Sequence, residues 1–294
     1  MPTKRQNRAE RNRFVQPLLA VVPVAAVAYL GLCAWLYVRQ AHYLYFPGRQ
    51  VACTPADAGL AFEDLTLTTA DGVRLAAWYV PAENARATLL HCHGNAGNIG
   101  DRVDIVRLYH NLGLNVLIFD YRGYGRSSGT PTEPGTYADA LAAWTYLTVT
   151  RGIPPQAIVV GGQSLGCGVA SWLAAQVKPG ALILESGFTS VPDMAARIYP
   201  FLPARRLARI RYDSLERLPR VTCPVLVAHS PDDEIVPYAF GQRLFEAANQ
   251  PKEFLVLQGS HNDGYIDTGP AYGATIIRFV DRHIARAMPG NAPP

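Results

Sequence analysis

Ser164 sits at the centre of Gly162-Gln163-Ser164-Leu165-Gly166, between an apolar β-branched run, Ala157-Ile158-Val159-Val160, and an apolar helical stretch, Val169 to Ala174. That order reads as a strand, a sharp turn and a helix with a serine at the apex. Side chains two before and two after such a serine would collide with strand and helix, which is what glycine avoids. The turn also aims the helix N-terminus at whatever the serine attacks. A serine hydroxyl is a weak nucleophile near neutral pH; it needs a base within hydrogen-bond reach and an acid to orient that base. His261 and the pair Asp232-Asp233 lie downstream in the required order. The chemistry that such a set performs is acyl transfer to the serine.

Charge would develop on the substrate oxygen during that attack, and backbone N–H groups would have to meet it. Leu165, next after the serine, offers one, and Asn95, after the His93-Gly94 turn, offers another. The other histidines fit less well: His42 lies beside an apolar segment, His110 and His283 fall in helical stretches, and His229 ends a strand. His91-Cys92-His93 cannot form a metal site, because successive residues on a strand do not face one ion. No metal and no cofactor is expected.

The elements that must position these residues alternate. Phe62 to Thr68 and Val73 to Val80 read as strands joined at Asp71-Gly72, a hairpin signal. Ala87 to Cys92 and Asn115 to Asp120 read as buried strands, and Ala157 to Val160, Ala181 to Leu184, Pro224 to Ala228 and Phe254 to Leu257 as further strands. Helical spacing covers Ile99 to Leu112, Tyr137 to Thr148, Tyr238 to Ala248 and Ala271 to Ala287. Strands alternating with helices imply an α/β fold, a mostly parallel sheet covered on both faces. Reactive residues in such folds gather at the carboxyl ends of strands, and each polar constellation here follows a strand.

Hydrophobic residues make up 49% of the 294 residues and charged ones only 17%, the balance of a folded chain with a large core and a membrane element. A net charge of +4, much of it in the N-terminal tail, gives no nucleic-acid surface. The 5 cysteines match neither a zinc spacing nor a disulfide framework; Cys92, Cys167 and Cys223 read as small buried residues.

Lys4, Arg5, Arg8, Arg11 and Arg13 precede an uncharged apolar run from Phe14 to Val38, long enough to span ~30 Å of hydrocarbon. Tyr29, Trp35 and Tyr37 crowd its far end, as an aromatic belt would. A cleaved leader would use Ala26-Val27-Ala28, yet the apolar run continues well past it, so a retained anchor is expected. The positive-inside rule then keeps the N-terminus cytoplasmic and puts the catalytic domain on the non-cytoplasmic side. The expected organisation is a basic tail (1–13), a transmembrane signal anchor (14–38), an extended juxtamembrane linker (39–61), the main domain (62–287) with a short cap insert (188–220), and a disordered tail (288–294).

His93-Gly94-Asn95-Ala96-Gly97-Asn98, Tyr121-Arg122-Gly123-Tyr124-Gly125 continuing to Gly129, the Ser164 pentapeptide and His261-Asn262-Asp263 occur in order. With them the chain resembles the alpha/beta-hydrolase superfamily, and within it membrane-tethered hydrolase-domain proteins. The stretch from His229 to Pro237 resembles that superfamily's H-G-x-x-D-x-x-V-P pattern, with Ser230 in place of the glycine, which selects Asp233 over Asp232. The resemblance implies an alpha/beta-hydrolase fold with Ser164 as nucleophile, Asp233 as orienting acid and His261 as base. It also implies a small-molecule or lipid-like acyl substrate carried as an ester or thioester. Some relatives are protein depalmitoylases and others resemble serine peptidases, so a peptidase is the alternative on the same fold. A tethered, non-catalytic binding protein is the alternative from another class.

Overall fold

The computed structural model describes residues 4–284, with side chains from Val21 onward. The tail expected over 288–294 and the end of the helix expected to reach Ala287 lie outside the described residues, as do the side chains of the basic tail.

Eight strands form one sheet: β1 (Glu63–Thr68), β2 (Arg74–Val80), β3 (Ala87–Cys92), β4 (Leu114–Phe119), β5 (Ile158–Gln163), β6 (Ala181–Glu185), β7 (Val225–His229) and β8 (Lys252–Val256). Their spatial order is β8-β7-β6-β5-β3-β4-β2-β1. β2 runs antiparallel to both β1 and β4, and every other pairing is parallel. The helices are α1 (Lys4–Leu44), α2 (Val103–Asn111), α3 (Glu133–Thr145), α4 (Leu165–Gln176), α5 (Val191–Ile198), α6 (Ala204–Leu207), α7 (Ser214–Arg217), α8 (Tyr238–Ala247), α9 (Gly264–Asp267) and α10 (Pro270–His283).

The near-continuous apolar runs are the strands buried on both faces. On β3, Leu90 points into a core shared with α3, α4 and α8, while its neighbour Leu89 points into a second core shared with α2 and α10. Both leucines are fully buried, so truncating either to alanine is expected to cost about 2–5 kcal/mol. The chain leaves β3 for β4 on one side and returns to β5 on the other. The gap between the carboxyl ends of β3 and β5 is therefore the point where strand order reverses, the place in open α/β sheets where ligands bind.

Two sequence expectations change at the N-terminal end. α1 does not stop at Val38 but continues to Leu44, and residues 39–61 are not a free linker. Tyr45 is buried, Phe46–Pro47 pairs with Ala96–Gly97, and Arg49 donates 2.9 Å hydrogen bonds to the carbonyls of Gly123 and Ser127. The apolar run ends where Arg39 and Gln40 begin, but a helix continues past its apolar stretch when tertiary partners hold the polar residues. Here the partners are α5, α6 and the chain around them, which cap the domain between β6 and β7. Gln40 Nε2 donates to Leu207 O at 2.7 Å and its Oε1 accepts from Arg209 N at 2.8 Å. The segment Val21–Leu44 is 24 residues long and contains an 18-residue window with a mean hydropathy of 2.0, long and apolar enough to cross a membrane.

Candidate active site

Ser164 has φ +52° and ψ −117°, a conformation rarely open to a residue with a side chain. It is held by its neighbours: Ser164 N–H donates to Glu185 O at 2.9 Å, from the adjoining strand β6. Gly162 and Gly166 face each other across the turn; a Cβ on Gly162 would fall 2.6 Å from the Gly166 carbonyl carbon and 2.8 Å from Ala170 Cβ. β5 and α4 therefore pack backbone against backbone, and the serine is carried at the crest.

His261, in the loop after β8, places Nε2 3.0 Å from Ser164 Oγ and Nδ1 2.8 Å from Asp233 Oδ2. Asp233 follows β7; Asp232, its neighbour, is exposed. Burial opposes ionisation of Asp233, but hydrogen bonds from the His229 and His261 rings and from Val236 N–H outweigh it and hold the carboxyl below the ordinary aspartate range. An ionised carboxylate only accepts, so His261 Nδ1 carries the ring hydrogen and Nε2 is left to accept from the serine hydroxyl. The chain of contacts can move the hydroxyl proton to the ring, which is what a nucleophilic alcohol requires.

Leu165 opens α4, so its N–H lies in the first turn, where no intrahelical carbonyl meets it. The turn after β3 lies against the serine: a Cβ on Gly94 would stand 3.8 Å from Ser164 Cβ. Asn95, Ser164 and Leu165 line one cavity of about 360 Å³, whose remaining walls are mostly apolar and come from the cap, from α1 with Phe46, and from Ile235 and Val236 after β7.

A profile described as the alpha/beta hydrolase fold matches residues 87–196. Alpha/beta hydrolase domain-containing protein 17B of Homo sapiens is 36% identical over 232 residues, covering 76% of this chain and 77% of that protein. The chain belongs to the alpha/beta-hydrolase superfamily. An uncharacterized protein of Mycobacterium tuberculosis is 39% identical over 265 residues, covering 89% of this chain and 94% of that protein. Among solved structures, an esterase of Pyrococcus furiosus superposes with a TM-score of 0.69 at 23% identity, over 82% of this chain and 100% of that one, a likeness of fold.

Several residues that support this candidate site carry no chemistry of their own in the sequence. His229 Nε2 lies 3.0 Å from Val236 O and 3.2 Å from Asp233 Oδ2, so a histidine set aside as a strand end braces the aspartate. Its place in the H-G-x-x-D pattern was the available signal. Ser230, which departs from that pattern, donates to Gly259 O at 2.6 Å and so ties the aspartate loop to the histidine loop. Glu234 accepts from His261 N–H at 3.0 Å.

The Tyr121–Gly129 stretch buttresses the turn after β3. Tyr121 hydroxyl donates to His93 O at 2.9 Å and Tyr124 hydroxyl to Asn95 O at 2.7 Å. Arg122 anchors the stretch itself, with its Nε 2.9 Å from Asp139 Oδ1 and a terminal nitrogen 2.8 Å from Asp71 Oδ2. Beneath the turn, His93 Nε2 stands 3.8 Å from Asp120 Oδ1, both side chains fully buried. Burial opposes charge on both: it pushes the ring down to about 3 and the carboxyl up to about 7.

Proposed function

We propose that this protein is a serine hydrolase, anchored in a membrane by α1, that cleaves carboxylic esters or thioesters through an acyl-enzyme. Ser164 attacks the acyl carbon while His261 takes its proton; Asp233 holds the ring and stabilises the imidazolium. The N–H groups of Leu165 and Asn95 face the oxyanion. Collapse expels the alcohol or thiol, protonated by His261, and water then releases the acid by the same steps in reverse.

The observation that carries this reading is the continuous contact from Ser164 Oγ through His261 to Asp233, at 3.0 Å and 2.8 Å, opening on an apolar cavity. Apolar walls suit an acyl chain better than a peptide backbone, whose amides would lose hydrogen bonds there. Ser164→Ala is expected to abolish hydrolysis of a short p-nitrophenyl ester and labelling by a fluorophosphonate, with the circular dichroism unchanged. Retained turnover would defeat the assignment. The basic residues ahead of the apolar run favour a cytoplasmic N-terminus; a reporter fused after Pro294 is expected to read the opposite side.

A further inference from the structure

We propose that the acyl chain of the substrate reaches Ser164 from within the lipid leaflet, between α1 and the cap, and that α1 supplies one wall of its binding site. This rests on the hydrolase reading above and adds to it a route and a specificity-determining surface.

The cavity that begins at Ser164 and Asn95 continues between two apolar walls. Met194, Ile198 and Leu207 belong to the cap; Leu36, Tyr43 and Leu44 belong to α1. An acyl carbonyl held at Ser164 therefore sends its tail toward the N-terminal helix. Gln40 also lines the cavity, but both ends of its amide are taken by the cap backbone at 2.7 and 2.8 Å, so it presents no free hydrogen-bonding group to a ligand.

The wall is fixed rather than adventitious. Cys33 is buried with Leu202 and Ala204, and Leu36 packs on the same cluster. Further along, Tyr29 hydroxyl donates to Phe201 O at 3.1 Å. Helix and cap thus stay together over several turns.

The depth of these contacts points to lipid. The Arg209 guanidinium lies 4.9 Å from the Tyr37 ring centroid, and arginine and tyrosine mark the polar boundary of a membrane. Tyr29 precedes Tyr37 by two helical turns, about 12 Å at 1.5 Å per residue. Phe201, beside Tyr29, is 66% exposed and Ile198 is 56% exposed, an apolar tip with nothing covering it among the described residues. With α1 across the bilayer, that tip enters the hydrocarbon and the gap beside it faces acyl chains, not water. A bilayer-resident ester can then place its tail between α1 and the cap without leaving the leaflet.

The test uses the full chain in phosphatidylcholine nanodiscs and a fluorophosphonate bearing a hexadecyl chain with a terminal diazirine. The serine oxygen displaces fluoride, forming the Ser164 Oγ–P bond, and light then inserts the chain end into its neighbours. Crosslinks to the peptide that contains Leu36 to Phe46 are expected alongside those to the cap. Crosslinks confined to the cap or the core, with Ser164 labelled, overturn this inference and leave the hydrolase standing. Absence of labelling at Ser164 removes both. A second measurement is independent of the probe. Leu36→Trp is expected to lower the ratio of kcat/KM for a hexadecanoyl ester to that for a butanoyl ester at least about tenfold, since hydrophobic pockets discriminate on single methylenes by that order. An unchanged ratio in an active variant overturns the proposal.

Discussion

His229 and His261 converge on a single oxygen of Asp233, at 3.2 Å and 2.8 Å, while the N–H groups of Val236 and Ile235 take the other at 2.7 and 2.9 Å. The carboxylate cannot turn without breaking several hydrogen bonds at once. The ring that faces Ser164 is therefore oriented, at one remove, by a histidine that never touches it.

If His229 positions the aspartate, His229→Ala is expected to lower kcat about tenfold or more with little change in KM, because the ground-state cavity is untouched. Loss of a buried partner is also expected to cost about 1–3 kcal/mol of stability. His229→Gln, which keeps a donor near Nε2, is expected to recover part of kcat. Steady-state kinetics and thermal denaturation check this, and a kcat equal to wild type in the alanine variant would remove the role.

The same arrangement sets an acid limit. Asp233 binds its proton less tightly folded than unfolded, so its ionisation stabilises the fold above the ordinary aspartate value of 3.8 and that stability disappears as pH falls below it. The stability of wild type minus that of Asp233→Asn, from urea unfolding, is expected to be constant near neutrality and to shrink in acid below about pH 4. A difference that grows on acidification would contradict the hydrogen-bonding account.

Much of the scaffold was open to inspection in the sequence for a simple reason. Ala87 to Cys92 is apolar along its length, and only a strand covered on both faces permits that. Chain order then put the loops after β5, β7 and β8 at one rim, where the structure brings Ser164, Asp233 and His261 together. What could not be read depends on contacts between distant loops. Ser230 looks like a defect in a pattern until Gly259 O is seen 2.6 Å away. Arg39 and Gln40 look like the end of a helix until the cap supplies partners for Gln40. The share of α1 in the cavity had no local signal, because Leu36 reads as an ordinary membrane residue and Tyr43 as part of an extended juxtamembrane stretch.

Asp120 supplies a pH dependence of opposite sign. Burial pushes its carboxyl up to about 7, against the Ile99 N–H bond that favours ionisation. A carboxyl that holds its proton more tightly in the folded state loses stability as pH rises from the unfolded value of 3.8 toward 7, and the loss levels off above. His93, pushed down to about 3, contributes a rise in stability with pH over much of the same window, but it does so in wild type and Asp120→Asn alike and cancels from their difference. Asp120→Asn, which still accepts from Ile99, is expected to gain stability relative to wild type as pH goes from about 4 to about 8. Urea midpoints at several pH values measure this; parallel curves for the two proteins would show that the carboxyl does not titrate there.

Gly166 tests the crossing of α4 over the strands. A Cβ at this position would stand 2.7 Å from both the Cys92 carbonyl carbon and His93 O, backbone atoms at the end of β3 that cannot rotate aside. Relief requires α4 to lift from β3, and that movement would carry Ser164 and Leu165 away from the turn that bears Asn95. Gly166→Ala is expected to destabilise the fold by about 3 kcal/mol or more, and to abolish fluorophosphonate labelling even where folded protein is recovered. Gly31, in α1, has nothing within 4 Å of its would-be Cβ, so Gly31→Ala is expected to keep both stability and labelling. Thermal denaturation and labelling of the two variants side by side separate the effect of site from that of an added methyl group. Wild-type behaviour in Gly166→Ala would mean that helix and strand do not approach as closely as the serine's position requires.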